Sequence, residues 1–198
     1  MIKRLFDILF SLVALILLLP IFILIAIAIV IDDGFPIFYL QERVGKNFRP
    51  FKLFKFRTMY KDADKKGYLT VGSKDPRVTT IGYYLRKYKL DELPQFINVL
   101  IGDMSIIGPR PEVKKYVDLY NDEQKKVLSV KPGITDYASI KYINENDILA
   151  LSENPEKTYI EEVMPEKLKI NLEYIEKQSF LEDIKIILKT LTKILLKQ

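Results

Sequence analysis

The chain has no cysteine and no histidine among its 198 residues. Without cysteine there are no disulfides and no thiolate metal sites, and without histidine the usual acid–base group and metal ligand is missing. Any acid–base or metal chemistry must therefore use Asp, Glu, Lys or Tyr side chains. No internal repeat or low-complexity tract is present, and the length suits one modest domain with an appendage.

What the chain does have is basic charge and one long apolar run. Lys and Arg number 31 against 26 Asp and Glu, for a net charge of +5. That balance favours anionic partners, whether nucleic acid, anionic lipid or phosphorylated substrates. From Leu5 to Ile31 the sequence LFDILFSLVALILLLPIFILIAIAIVI carries a single charge, Asp7. About 20 such residues cross a bilayer's hydrocarbon core, so the run is long enough to span. It exceeds the roughly 7–15 residues of a signal-peptide core, and no small-residue cleavage pattern follows it. The chain is expected to be membrane-bound.

Charge counting leaves the topology open. Lys3 and Arg4 precede the run; Arg43, Lys46, Arg49, Lys52, Lys55 and Arg57 follow it. Positive charge prefers the cytoplasmic side at both flanks. A segment that enters and turns back satisfies both, and Pro20 near its centre supplies a kink. A Pro-kinked spanning helix is the other reading.

Past the apolar run, PIFYLQERVGKNFRPFKLFKFRTM predicts two strands around a polar turn at Gly45-Lys46-Asn47. Bases and aromatics interleave in its second arm, with Lys52 and Lys55 out of phase. Residues 61 to 80 read as a loop. Helices are expected at about Ile81 to Lys89, Leu90 to Leu100, Glu112 to Val130 and Asn144 to Glu153, with an irregular stretch IGDMSIIGPRPE among them. At the C-terminus Leu181, Ile184, Leu188, Leu191 and Leu195 form one helical face, and Lys185, Lys189, Lys193 and Lys197 a separate basic ridge. Such a helix either packs on the domain or lies in the headgroup layer.

Asp91 and Glu92 sit side by side in KLDELPQF. Alone, the pair reads as the acidic first turn of a helix, with Pro94 tolerated there because the first N–H groups have no internal partner. Its surroundings add more. Arg57, Arg86 and Arg110 can give forked hydrogen bonds to phosphate oxygens, and Lys55 a point charge. A helix N-terminus at Leu90 to Glu92 would add N–H donors for a phosphate and favour the ionised form of Asp91.

The ordered set KFRTM, LDELPQ, NVLIGDMS, GPRP and PGIT, between the apolar run and SFLEDIKIILKTL, covers nearly the whole chain. It resembles the bacterial sugar transferase family of small monotopic phosphoglycosyl transferases. The resemblance implies an α/β fold, mostly α with a small β-hairpin: a compact membrane-associated catalytic domain with amphipathic interfacial helices. Residues 1–35 would form a re-entrant helix-break-helix, and 36–198 a cytosolic catalytic domain ending in an interfacial helix at about 179–198. It also implies transfer of sugar-1-phosphate from a UDP-sugar to polyprenol (undecaprenyl) phosphate, with release of UMP, to start membrane-linked glycan assembly. Asp91 would be the nucleophile, forming a phosphosugar–aspartyl intermediate, and Glu92 would assist. Lys55, Arg57, Arg86 and Arg110 would bind substrate, and Asp91 would meet Mg²⁺, a hard ion suited to carboxylate and phosphate oxygens. The expected location is the bacterial cytoplasmic membrane, catalytic domain on the cytoplasmic face, with membrane lipids as partners and no nucleic acid.

Three positions depart from the family pattern. Leu19-Pro20 stands where relatives have Ser-Pro, Lys89 where Ser often precedes LDELPQ, and Asn171 where Asp is common. The rival reading is a non-catalytic membrane-anchored assembly factor binding anionic lipids.

Overall fold

The computed structural model describes residues 2–61, 63 and 75–195. Most of the expected loop at 61–80, namely 62 and 64–74, lies outside the described residues, as does Lys197 of the basic ridge. Helix α1 (Ile2–Asp33) runs the length of the apolar segment, with Pro20 inside it and no interruption in its assigned span. It is the one described helix long and apolar enough to cross a membrane. Only Asp7, Ser11, Ile25 and Ile29 of α1 are buried, so most of its apolar surface is uncovered.

Strands β1 (Phe38–Val44) and β2 (Pro50–Phe56) pair antiparallel, with Tyr39 opposite Lys55. The expected hairpin and its turn are present. The basic–aromatic alternation of β2 is imperfect because both its faces are covered. Leu53 packs in a core cluster with Val99, Met104 and Ile106, and Phe56 in another with Ile25, Ile29 and Leu85.

Helix α2 (Thr80–Lys87) begins where Thr79 accepts a hydrogen bond from Gly82 N. Gly82 has no room for a side chain: a Cβ would sit 2.1 Å from the Thr58 carbonyl oxygen. The single helix expected over Leu90 to Leu100 is two elements, a 3-10 turn at Leu90–Glu92 and α3 (Gln95–Ile101). Pro94 has no N–H to donate to the Leu90 carbonyl, which accepts from Leu93 N at 3.3 Å instead.

The irregular GD-to-RP stretch contains a short strand, β3 (Ser105–Ile107), which pairs parallel with β4 (Gly133–Thr135). Gly108 and Gly133 face each other so closely that a Cβ on Gly133 would lie 2.1 Å from Gly108 N. That approach explains a glycine in both GPRP and PGIT. The helix expected over Glu112 to Val130 reduces to α4 (Lys114–Val117) and a 3-10 segment at Gln124–Ser129. After it come α5 (Tyr137–Lys141), α6 (Glu145–Ala150), α7 (Pro155–Thr158), a π-turn at Tyr159–Val163, and α8 (Met164–Glu176).

Helix α9 (Phe180–Leu195) closes the fold. It buries Asp183 and Ile186 against the domain, whereas Leu181, Leu188 and Leu191 are exposed. Leu181, Leu188 and Leu191 therefore do not pack on the body of the protein.

Both ends of α1 bond to the same body. The Arg4 guanidinium donates to the carbonyls of Val99 (2.6 Å) and Leu100 (2.9 Å) at the C-terminus of α3, where a cation satisfies free carbonyls. Buried Asp7, the lone charge of the apolar run, accepts from Ser105 Oγ and Ile106 N, each at 3.1 Å. At the other end Asp32 accepts from Ile81 N at 2.9 Å, and Asp33 pairs with Arg57 at 3.0 Å.

Candidate active site

The 3-10 turn carrying Asp91 and Glu92 is held between α2, β2 and α3. Lys89, just before it, adopts a left-handed backbone (φ 58°, ψ 21°) and donates from its N–H to Arg86 O. No side chain caps the turn, which is what Lys89 in place of a serine costs. Asn98 stitches α3 to β2: its Oδ1 accepts from Phe54 N and its Nδ2 donates to Lys52 O, at 2.9 and 2.8 Å. This fixes the strand from which Lys55 projects.

Glu92 is the electrostatic hub. Arg110 donates to both of its carboxylate oxygens, and Lys55 Nζ donates to one of them at 3.1 Å. Arg110 is itself aimed by its backbone, whose N–H donates to buried Asp136 at 2.9 Å. Asp136 also accepts from Ser139 N, capping α5.

Asp91 differs from its neighbour. It is 6% exposed, and its Oδ1 is buried with no hydrogen-bond partner. Burial, then the adjacent Glu92 charge, push the Asp91 carboxyl above its ordinary value, and Lys55, Arg86 and Lys89 offset this only in part. The expectation that the turn would favour ionised Asp91 is thus reversed. A three-residue 3-10 turn has little dipole, and desolvation outweighs it. Burial also raises the Glu92 carboxyl, but Arg110 and Lys55 together hold it well below the carboxylate range. Burial pulls the Lys55 ammonium down, against the attraction of Glu92. Glu92 raises the Arg110 guanidinium.

Of the residues singled out from sequence, Asp91, Glu92, Lys55, Arg86 and Arg110 converge on one groove of about 910 Å³. Arg57 borders the same groove but is used differently. Its guanidinium is buried, pairs with Asp33, and donates to the Asp33 and Gly34 carbonyls at 3.0 and 2.5 Å. Arg57 thus anchors the end of α1.

Lys89 is a cation the sequence reading passed over. It lines the groove and acts on both carboxyl groups. Its position directly before LDELPQ was the available signal. Asp136 follows PGIT directly, and nothing in that spacing marks it as the group that positions Arg110. Asn171 is buried beside Arg110 and Glu112, and its Oδ1 has no partner.

No group of three or more acidic side chains able to hold a metal occurs among the described residues. Mg²⁺ needs no such cage, because it usually takes one or two carboxylates plus substrate phosphates. Glu92 is engaged by two cations, whereas the unpartnered oxygen of Asp91 suits a hard cation.

The bacterial sugar transferase family profile matches residues 1–197. The chain is 38% identical over 197 residues to an uncharacterized sugar transferase, EpsL, of Bacillus subtilis (strain 168), covering 99% of this chain and 88% of that protein. It is 36% identical over 197 residues to the UDP-N-acetylgalactosamine-undecaprenyl-phosphate N-acetylgalactosaminephosphotransferase of Aeromonas hydrophila, covering 98% of this chain and 44% of the relative. It is 37% identical over 197 residues to the UDP-glucose:undecaprenyl-phosphate glucose-1-phosphate transferase of Escherichia coli (strain K12), covering 98% and 40% respectively. The chain spans less than half the length of these last two relatives.

Proposed function

The chain belongs to the bacterial sugar transferase family and is a transferase; on that premise we propose that it moves sugar-1-phosphate from a UDP-sugar to undecaprenyl phosphate through a covalent intermediate on Asp91. The observation that carries this reading is the contrast within the acidic pair. Glu92 is tied by Arg110 and Lys55, while Asp91, which lines the same groove, keeps a buried carboxylate oxygen with no hydrogen-bond partner.

In the first step an Asp91 oxygen attacks the β-phosphorus of the donor. The bond from that phosphorus to the oxygen bridging the two phosphates breaks, and UMP leaves with the electron pair. In the second step an oxygen of the lipid phosphate attacks the same phosphorus, and the bond to Asp91 breaks, restoring the carboxylate. Each step brings two anions together, so cations must offset the repulsion. Lys55, Lys89, Arg86 and Arg110 stand against Asp91 and Glu92, leaving the site with a net positive charge. The donor phosphates bring further negative charge beside Asp91, so these cations must hold the nucleophile ionised against it.

Glu92 acts through its partners as a positioning residue that aims Arg110 and Lys55. Its depressed pKa does not suit proton transfer near neutral pH. Mg²⁺, held by Asp91 and the donor's phosphates, would supply further neutralisation of charge.

We also propose that α1 enters one leaflet and returns. Residues near both ends of α1, Arg4 and Asp7 at one and Asp32 and Asp33 at the other, bond to one body, as a segment that enters and leaves by the same face requires. The uncovered residues around Pro20, such as Ile16 and Leu17, are then the part in the hydrocarbon. The exposed leucine ridge of α9, with Lys185 and Lys189 beside it, suits the headgroup layer of the cytoplasmic face.

The test is UMP release from UDP-sugars with undecaprenyl phosphate and Mg²⁺. Release that is abolished in Asp91→Asn supports the proposal. Release at the normal rate in that variant refutes the Asp91 intermediate, and no release from the unsubstituted chain with any UDP-sugar favours the assembly-factor reading.

A further inference from the structure

The groove that holds the acidic pair has a second, apolar end. Its floor there is the parallel pair β3–β4, which presents Ile106 and Ile134. One wall is made by Phe10 of α1 and Phe96 of α3, whose rings lie 6.1 Å apart. The other is made by Ile187 and Leu191 of α9. Helices α1, α3 and α9 each pack on β3, so the walls stand on a common base. Three residues beyond Ile107 the same strand leads into Arg110, so the apolar floor runs straight into the cation cluster.

From this arrangement we infer that the slot between α1 and α9 takes the isoprenoid tail of the acceptor, with its phosphate at the Lys55–Arg110 end. The placement rests on the acceptor being a lipid phosphate, as proposed above. Charge and hydropathy divide along the groove as they divide along such a lipid, with the Lys55–Arg110 cations at one end and mainly apolar side chains at the other, where Thr135 and Thr190 bond to each other and Lys193 stands at the rim. Continuity gives the direction. Phe10 and Leu191 are 39% and 51% exposed, and they adjoin the uncovered apolar faces of the two helices. A chain leaving between them passes into hydrocarbon rather than into water. The part of the tail inside the slot contributes by burial of apolar surface, so affinity depends on chain length. The lone charge of the apolar run also acquires a purpose, since Asp7 fixes α1 to β3 one turn before Phe10.

The experiment measures KM for undecaprenyl phosphate and for the much shorter geranyl phosphate, using the full chain in detergent. Variants come from opposite walls, Phe10→Ala and Ile187→Asp. We expect the KM for the long acceptor to rise about tenfold in each, with that for the short one changed far less, so that the preference for the long chain collapses. An equal change for both acceptors, or no change for the long one, overturns the assignment, as it would if ordinary phospholipid filled the slot.

A measurement on the unsubstituted chain does not depend on how the variants fold. An isoprenyl phosphate bearing a benzophenone is crosslinked and the labelled peptides are identified. Label on the peptides containing Phe10 or Ile187 supports the slot, and label confined to other peptides overturns it. UMP release from donor alone, on the same preparation, separates the two claims. Its absence from the unsubstituted chain counts against the transfer mechanism, whereas its presence beside a negative crosslink counts against the slot.

Discussion

Arg110 meets Glu92 fork to fork: both terminal nitrogens of the guanidinium donate to the two carboxylate oxygens, while Lys55 reaches the same carboxylate from β2 at 3.1 Å. Three residues from distant parts of the sequence thus form one unit beside the unpartnered Asp91 oxygen.

A unit of this kind fails when any member changes. Glu92→Gln keeps the shape but releases two cations, and Arg110→Lys loses the fork. Either substitution is expected to lower kcat/KM for the UDP-sugar by about 100-fold. The double variant should lose little more than either single one, because groups acting together are not additive. Steady-state UMP release on the four proteins checks this, and multiplied losses would show that the groups act independently.

With Asp91 as the proposed nucleophile, its raised carboxyl is expected to set the acid limb of the donor reaction. The nucleophile must be ionised, and kcat/KM reports the free protein, so activity falls with decreasing pH through an inflection above the ordinary 3.8. Glu92→Gln removes a like charge and frees cations toward Asp91, so the inflection should move to lower pH. For stability the signs are opposite. Depressed Glu92 contributes stability that is complete above its ordinary 4.5 and lost as pH falls through its folded value. Raised Asp91 costs stability as pH rises from 3.8 through its own folded value. A pH series of UMP-release rates measures the kinetic shift, and an inflection unchanged in Glu92→Gln would contradict the assignment to Asp91.

Arg57 separates anchoring from substrate binding. Arg57→Met removes the donors to the Asp33 and Gly34 carbonyls and leaves Asp33 without its cation. The expected loss of folding stability is about 2 kcal/mol, with faster proteolysis near Gly34 and an unchanged KM for the UDP-sugar in the folded fraction. A higher KM at unchanged stability would make Arg57 a phosphate ligand.

The absence of cysteine makes the topology of α1 directly measurable. Ile2→Cys and Phe35→Cys both fall at exposed positions at the two ends of the apolar helix. Both are expected to react with an impermeant maleimide only when the cytoplasmic face is open. Reaction from opposite faces would show a spanning helix.

The parts read most easily in the sequence were those whose signal is local. The apolar run, the hairpin turn at Gly45-Lys46-Asn47 and the acidic pair each sit within one segment. The leucine spacing of α9 gave the helix but not its orientation, and only the burial of Asp183 and Ile186 shows which face turns inward. Strands β3 and β4 were missed because each has three residues, too few for any period, and pairing unites segments far apart in the chain. Helix α8 was missed for another reason. Its buried stripe is Met164, Leu168, Asn171 and Tyr174, and the polar members hide the helical period. Arg57 shows the limit of motif reasoning, since its place in KFRTM marks it as important without saying that it grips α1.

The proposed transfer requires Asp91 to carry the sugar phosphate as an acyl phosphate. The most direct test incubates the unsubstituted chain with a UDP-sugar and Mg²⁺, without lipid acceptor, then quenches and maps the digest by mass spectrometry. The account predicts the mass of a phosphosugar on the peptide containing Asp91, formed in step with UMP and discharged when undecaprenyl phosphate is added. Full turnover with no adduct at any time on that peptide, under a quench that preserves acyl phosphates, would contradict it.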